Sequence, residues 1–155
     1  MAFVVWLHIV AAALWVGPQV FLFVAFAPAM QRIADQRLRA EVTRVMTRRF
    51  GMLAAIAMVV LVITGLVMVG ERLYDWSVLV TTSFGQMLLL KGLLVLAVLG
   101  LTAYHAFALA PRVAAMALGA GAGEAFLRRR SLLVNSANLA LSLAVLLLGV
   151  FLRYV

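Results

Sequence analysis

Four apolar blocks, Phe3 to Ala27, Phe50 to Gly70, Met87 to Leu109 and Leu132 to Leu152, leave this chain few ways to fold. Each is long enough to cross a hydrocarbon core of about 30 Å, which takes roughly 20 helical residues. In lipid every backbone N–H and C=O must find its partner inside the protein. The blocks are continuous rather than alternating, so helices are expected and a β-barrel is excluded. A soluble domain is excluded as well: 67% of the 155 residues are apolar and 12% are charged, too little polar surface for water. Mean hydropathy is +1.17. The expected fold is all-α: one transmembrane domain over 1–155, an up-down-up-down four-helix bundle with helices near 3–27, 50–70, 86–110 and 131–152. The first block is read as a span and not a signal peptide, because no Lys or Arg precedes it and it exceeds the usual apolar stretch of about 7–15 residues.

A net charge of +8 suggests nucleic acid only until the charges are placed. Six arginines (Arg32, Arg37, Arg39, Arg44, Arg48, Arg49) fall between the first two blocks, and four (Arg112, Arg128, Arg129, Arg130) between the last two. The connection 71–86 sets Arg72 against Glu71 and Asp75, and the C-terminal tail holds Arg153. By the positive-inside rule the arginine-rich connections face the cytoplasm, which puts both termini on the outer side of the membrane. The clusters are then topology determinants and contacts for anionic lipid; the bilayer is the first partner, and no nucleic acid is expected. Ile33, Leu38, Val42 and Val45 are interspersed with the arginines, so about 30–49 reads as an amphipathic cytoplasmic segment at the membrane surface. Tyr74 and Trp76 would pin the outer connection at headgroup level. The Ala- and Gly-rich run Ala114 to Ala125 reads as a frayed helix extension followed by a link. The four spans show no convincing internal repeat.

Polar residues at lipid depth are costly and tend to face the bundle interior, so they are the informative ones. His8, Trp15 and Gln19, spaced 7 and 4 apart, share one stripe of the first helix. Lys91, the only lysine in the chain, lies with Thr102 and His105 on one face of the third helix. Asn135, Asn138 and Ser142 share a face of the fourth, and with His105 and Arg49 they suggest an inner polar cluster. At 1.5 Å per residue, His8 and Lys91 are expected ~6–8 Å below the outer boundary and His105 ~21 Å deeper than Lys91. The two histidines are therefore not expected to clamp one haem or one ion. Met1, Met68 and Met87 belong near the depth of His8, and thioether with imidazole suits Cu(I). No cysteine is present, so thiolate metal sites and disulfides are excluded. The unexceptional alternatives are helix-to-helix hydrogen bonds for His105 and the asparagines, packing for Trp15 and the methionines, and a snorkelling Lys91.

Arg48-Arg49-Phe50, Ile63-Thr64-Gly65 and the run Thr82-Ser83-Phe84-Gly85-Gln86-Met87-Leu88-Leu89-Leu90-Lys91 resemble the copper-resistance D (CopD) domain. His8 through Trp15-Val16-Gly17 looks like that family's first helix, so the resemblance covers about residues 5 to 112. It implies a bacterial inner-membrane protein associated with copper uptake or tolerance. A second resemblance is to HemJ-type protoporphyrinogen oxidases, also four-helix membrane proteins, carried by His8, Arg49, Lys91 and Tyr104-His105. It implies bound haem b.

The leading expectation is a copper-handling protein in which His8, with outer methionines such as Met68 and Met87, receives Cu(I), and Thr102, His105, Asn135 and Asn138 carry it onward. The ammonium of Lys91 opposes a nearby cation. The alternative is a haem-b redox protein, the one reading that makes the chain an enzyme, with His8 as axial ligand and Lys91 as opposite ligand or propionate partner. Trp15 and Gln19 would line its pocket, and quinone or a porphyrinogen would be the reaction partner. The third is an accessory subunit of a membrane complex. The scattered glycines form no clear dimer motif, which leaves a homo-oligomer open.

Overall fold

The computed structural model describes residues 1–72, 75–116 and 124–152. Tyr74, Arg153 and most of the Ala- and Gly-rich run lie outside them. No strand occurs among the described residues, and four helical stretches are long and apolar enough to cross a membrane: Ala2–Gln31, Gln36–Arg72, Ser83–Val113 and Phe126–Phe151. Large apolar side chains stay uncovered along all four. Phe3, Ile56, Leu66, Leu93, Phe107 and Leu133 are each more than half exposed, a surface that suits lipid and would drive association in water.

The first stretch consists of α1 (Ala2–Phe21), a π-helical turn (Leu22–Phe26) and α2 (Ala27–Gln31). The wide turn has a local cause. Pro28 offers no N–H, and its ring crowds the carbonyl four residues back, that of Val24. Ala27 N–H bonds Leu22 O instead, five residues back, which opens the helix there. The third stretch repeats the arrangement: α5 (Ser83–Tyr104), a π-helical turn (His105–Leu109) and α6 (Ala110–Met116), with Ala110 N–H bonded to His105 O just before Pro111.

The second stretch, α3, runs unbroken for 37 residues from Gln36 to Arg72. The basic segment before Phe50 is thus collinear with the span that follows, not a separate surface helix. No proline interrupts it, and Gly51 alone does not break a helix with neighbours on both sides. At 1.5 Å per residue α3 is about 55 Å long, well beyond a ~30 Å hydrocarbon core, so its arginine-rich part extends past the apolar part. Asp35 starts it: Oδ1 accepts the N–H of Arg37 at 2.8 Å and of Leu38 at 3.2 Å. Asp35→Ala is expected to destabilise this end by about 1 kcal/mol, read as faster amide exchange in the first turn of α3 alone.

The chain divides into two compact units, Met1–Asp75 and Trp76–Val155. The first is a hairpin of α1 against α3. His8 meets Thr64 near one end and Phe21 meets Phe50, with ring centroids 5.9 Å apart, towards the other, so the helices are antiparallel. Its buried seam holds Ala11, Trp15 and Val16 of α1 and Ala57 and Thr64 of α3. The second is a hairpin of α5 against α7 (Glu124–Phe151), antiparallel by the pairs Lys91–Gly149, Thr102–Asn138 and Tyr104–Arg130. The short helix α4 (Val78–Thr81) packs on the start of α5. Trp76, in the connection, is 78% exposed.

Candidate functional site

In the first unit the site forms around His8. Its Nδ1 lies 2.7 Å from Thr64 Oγ1, and that hydroxyl is 2.6 Å from the Val60 carbonyl oxygen one turn back on α3. A hydroxyl has one proton, and here it is committed to the backbone, so towards His8 the oxygen can only accept. With the hydroxyl proton on the Val60 carbonyl, this bond calls for the Nδ1–H tautomer of His8, which would place the lone pair on Nε2. Thr64 is 5% exposed, which keeps water from competing for the bond. Gly65 lies against the ring: a β-carbon there would sit 3.6 Å from His8 Cε1, at ordinary van der Waals contact. Met68, one turn on from Thr64, shares its face of α3.

The other first-unit residues singled out in the sequence are placed differently. Trp15 is buried in the seam. Gln19 bends back along its own helix, its Nε2 donating to Trp15 O at 3.1 Å. Arg49 is exposed, lining a shallow surface groove with Val45, Arg48 and Met52.

In the second unit Lys91 leans onto Gly149 of α7, where a β-carbon would come within 3.2 Å of its Nζ. Met87, one turn earlier on α5, is half-buried. Thr102 Oγ1 donates to Asn138 Oδ1 across the hairpin at 3.4 Å, and Ser142, one turn further along α7, is 3% exposed. Thr102 and Asn138 thus meet between α5 and α7, and Asn135 is half-buried on the same helix as Asn138. His105 opens the π turn, and its Nδ1 is buried without a hydrogen-bond partner among the described residues. Tyr104 packs under the Arg130 guanidinium, 5.5 Å from ring centroid to Cζ.

The model of the copper resistance protein D family matches residues 44–152. The chain belongs to this family. The match runs further toward the C-terminus than the stretch 5–112 on which the resemblance was read, and it begins after the first helix, so His8 lies outside it while Thr64, Gly65 and Lys91 lie within. No curated protein and no solved structure matches the chain. With its four spanning helices, this copper resistance D family member is a multi-pass membrane protein. Among the described residues no three His, Asp or Glu side chains converge, so a metal bound here would draw on thioether or hydroxyl donors beside imidazole.

Thr64 is the residue that reasoning from sequence passed over as a site member, although Ile63-Thr64-Gly65 contributed to the family resemblance. Its signal was present: one hydroxyl in the apolar run Met52 to Val69, next to a glycine.

Proposed function

We propose that this protein handles Cu(I) at His8, taking it up from the outer side of a bacterial inner membrane with the N-terminus outside. The observation that carries the reading is the His8–Thr64 pair: a buried hydroxyl, itself bonded to the Val60 carbonyl, lies 2.7 Å from Nδ1 and favours the Nδ1–H tautomer, whose lone pair is on Nε2. Soft Cu(I) favours imidazole and thioether donors, and Met68 on the Thr64 face of α3 is the nearest candidate by helical register. Copper resistance D membership supports copper as the substrate. In the second unit, Thr102, His105, Asn135 and Asn138 are the polar groups proposed to take part in handling the ion, His105 Nδ1 having no hydrogen-bond partner among the described residues.

The test is to purify the protein in detergent, load it with Cu(I) against a competing chelator, and record copper content and the oxidised and dithionite-reduced spectra together. One Cu(I) per chain that disappears in His8→Ala is the expected result. A reduced haem α-band that depends on His8, with no stoichiometric copper, would overturn the copper reading in favour of a haem protein. Replacing the outer partner gives a graded check. Thr64→Val keeps the shape but removes the acceptor that sets the tautomer, so Cu(I) affinity is expected to fall roughly 10–100-fold without abolishing binding.

A further inference from the structure

The two units are built to one plan, which the four spans do not announce as sequences. The π turn of the first unit covers Leu22–Phe26 and that of the second His105–Leu109, a shift of 83 residues at both ends. The same shift superposes Pro28 on Pro111, Ala27 on Ala110, Ala25 on Ala108 and Gly17 on Gly100. It also superposes buried positions: Trp15 on Val98 and Phe26 on Leu109. Under that register His8 falls on Lys91. The partner helices agree within one residue, because His8 packs on Gly65 of α3 and Lys91 on Gly149 of α7, a shift of 84. Thr64, which orients His8, then corresponds to Leu148.

We propose that Lys91 occupies in the second hairpin the site position that His8 occupies in the first, so that the chain carries two sites of one build and residue 91 sets which ligand the second accepts. An imidazole over the glycine, with a hydroxyl one residue before it, takes a soft cation. An ammonium over the glycine, with leucine before it, repels one. Lys91 is thus not an obstacle beside the copper site but the residue that closes the equivalent position to cations. The cation part of this inference rests on the copper reading of His8; the correspondence of the two positions does not.

The experiment is a transplant, Lys91→His with Leu148→Thr and with Leu152→Met at the counterpart of Met68, made in the full chain and checked for helicity and a monodisperse elution profile. Nitrogen-15 NMR of the metal-free protein reads the introduced imidazole directly. It is expected to show the Nδ1–H tautomer expected for His8, the minor form of histidine in water. Copper loading is expected to rise from one to two Cu(I) per chain, with one retained when His8→Ala is added. An introduced ring in the ordinary Nε2–H tautomer would overturn the correspondence. The expected tautomer with copper still at one per chain would overturn residue 91 as the determinant of the ligand. Should the wild-type chain bind no His8-dependent copper, the copper reading falls, and the tautomer still decides the correspondence. The reciprocal variant, His8→Lys with Thr64→Leu, is expected to accumulate as well as His8→Ala and to bind no copper; loss of the folded protein from that variant alone would count against a shared build.

Discussion

Gly85→Val is expected to remove most of the folded protein from the membrane. Gly85 stands where α5 begins, directly beneath the short helix α4, and any side chain there would collide with backbone. A β-carbon would meet the Val78 carbonyl oxygen and come within 2.5 Å of Leu79 Cα and 2.7 Å of Leu79 C. These atoms cannot rotate away as a side-chain tip could. They are also tied down: Thr82 Oγ1 donates to Val78 O at 2.7 Å and accepts the Gly85 N–H at 3.0 Å, and Gln86 Nε2 donates to Val80 O at 3.2 Å. Overpacking ordinarily costs about 1–3 kcal/mol, and backbone collision on three atoms puts Gly85→Val at the top of that range, about 3 kcal/mol. Membrane yield and thermal unfolding in detergent measure it, with Gly85→Ala expected to fall in between. Wild-type yield and stability for the valine variant would mean that α4 does not pack where the structure has it.

His8→Ala is expected to abolish Cu(I) binding while leaving the fold in place, and that combination separates a ligand from a packing residue. An interhelical hydrogen bond in a membrane contributes about 0.6 kcal/mol on average and ~1.7 at most. Loss of the His8–Thr64 bond should therefore lower stability only slightly, the more so because Thr64 keeps its bond to Val60 O. Loss of the donor nitrogen should reduce Cu(I) affinity by more than the roughly 10–100-fold expected when only the orienting partner is removed. Competition against a Cu(I) chelator, set beside thermal unfolding of the same samples, gives both quantities. Unchanged copper affinity with a large fall in stability would make His8 a structural residue and favour an accessory-subunit role.

Much of the scaffold was legible because hydrocarbon imposes a simple demand. Twenty or so apolar residues in a run have one way to satisfy their backbone, so the four spanning helices could be read directly from hydropathy. Helix α3 begins at Gln36, well before the apolar block that opens at Phe50, because charge is not a helix boundary. Arginines change which solvent a helix sees, but they do not break its hydrogen bonds, and only the absence of proline between Gln36 and Arg72 foretold the unbroken helix. The two Ala-Pro pairs, Ala27-Pro28 and Ala110-Pro111, marked the π turns in principle, since each proline leaves a carbonyl four residues back without its usual donor.

An all-helical membrane chain of the copper resistance D family is legible along the chain alone, because hydropathy and family pattern are carried by composition and order. The sequence also pointed to His8 and Lys91 as the costly residues, since polarity at lipid depth is visible without coordinates. What those residues touch follows from how one helix packs on another. Thr64 lies 56 positions from His8, and Gly149 lies 58 from Lys91; helical periodicity assigns each to a face but not to a partner. The hydroxyl that meets His8 and the glycine that meets Lys91 are properties of packed pairs. Packing is decided by the neighbouring helix, whose register a single helix does not encode.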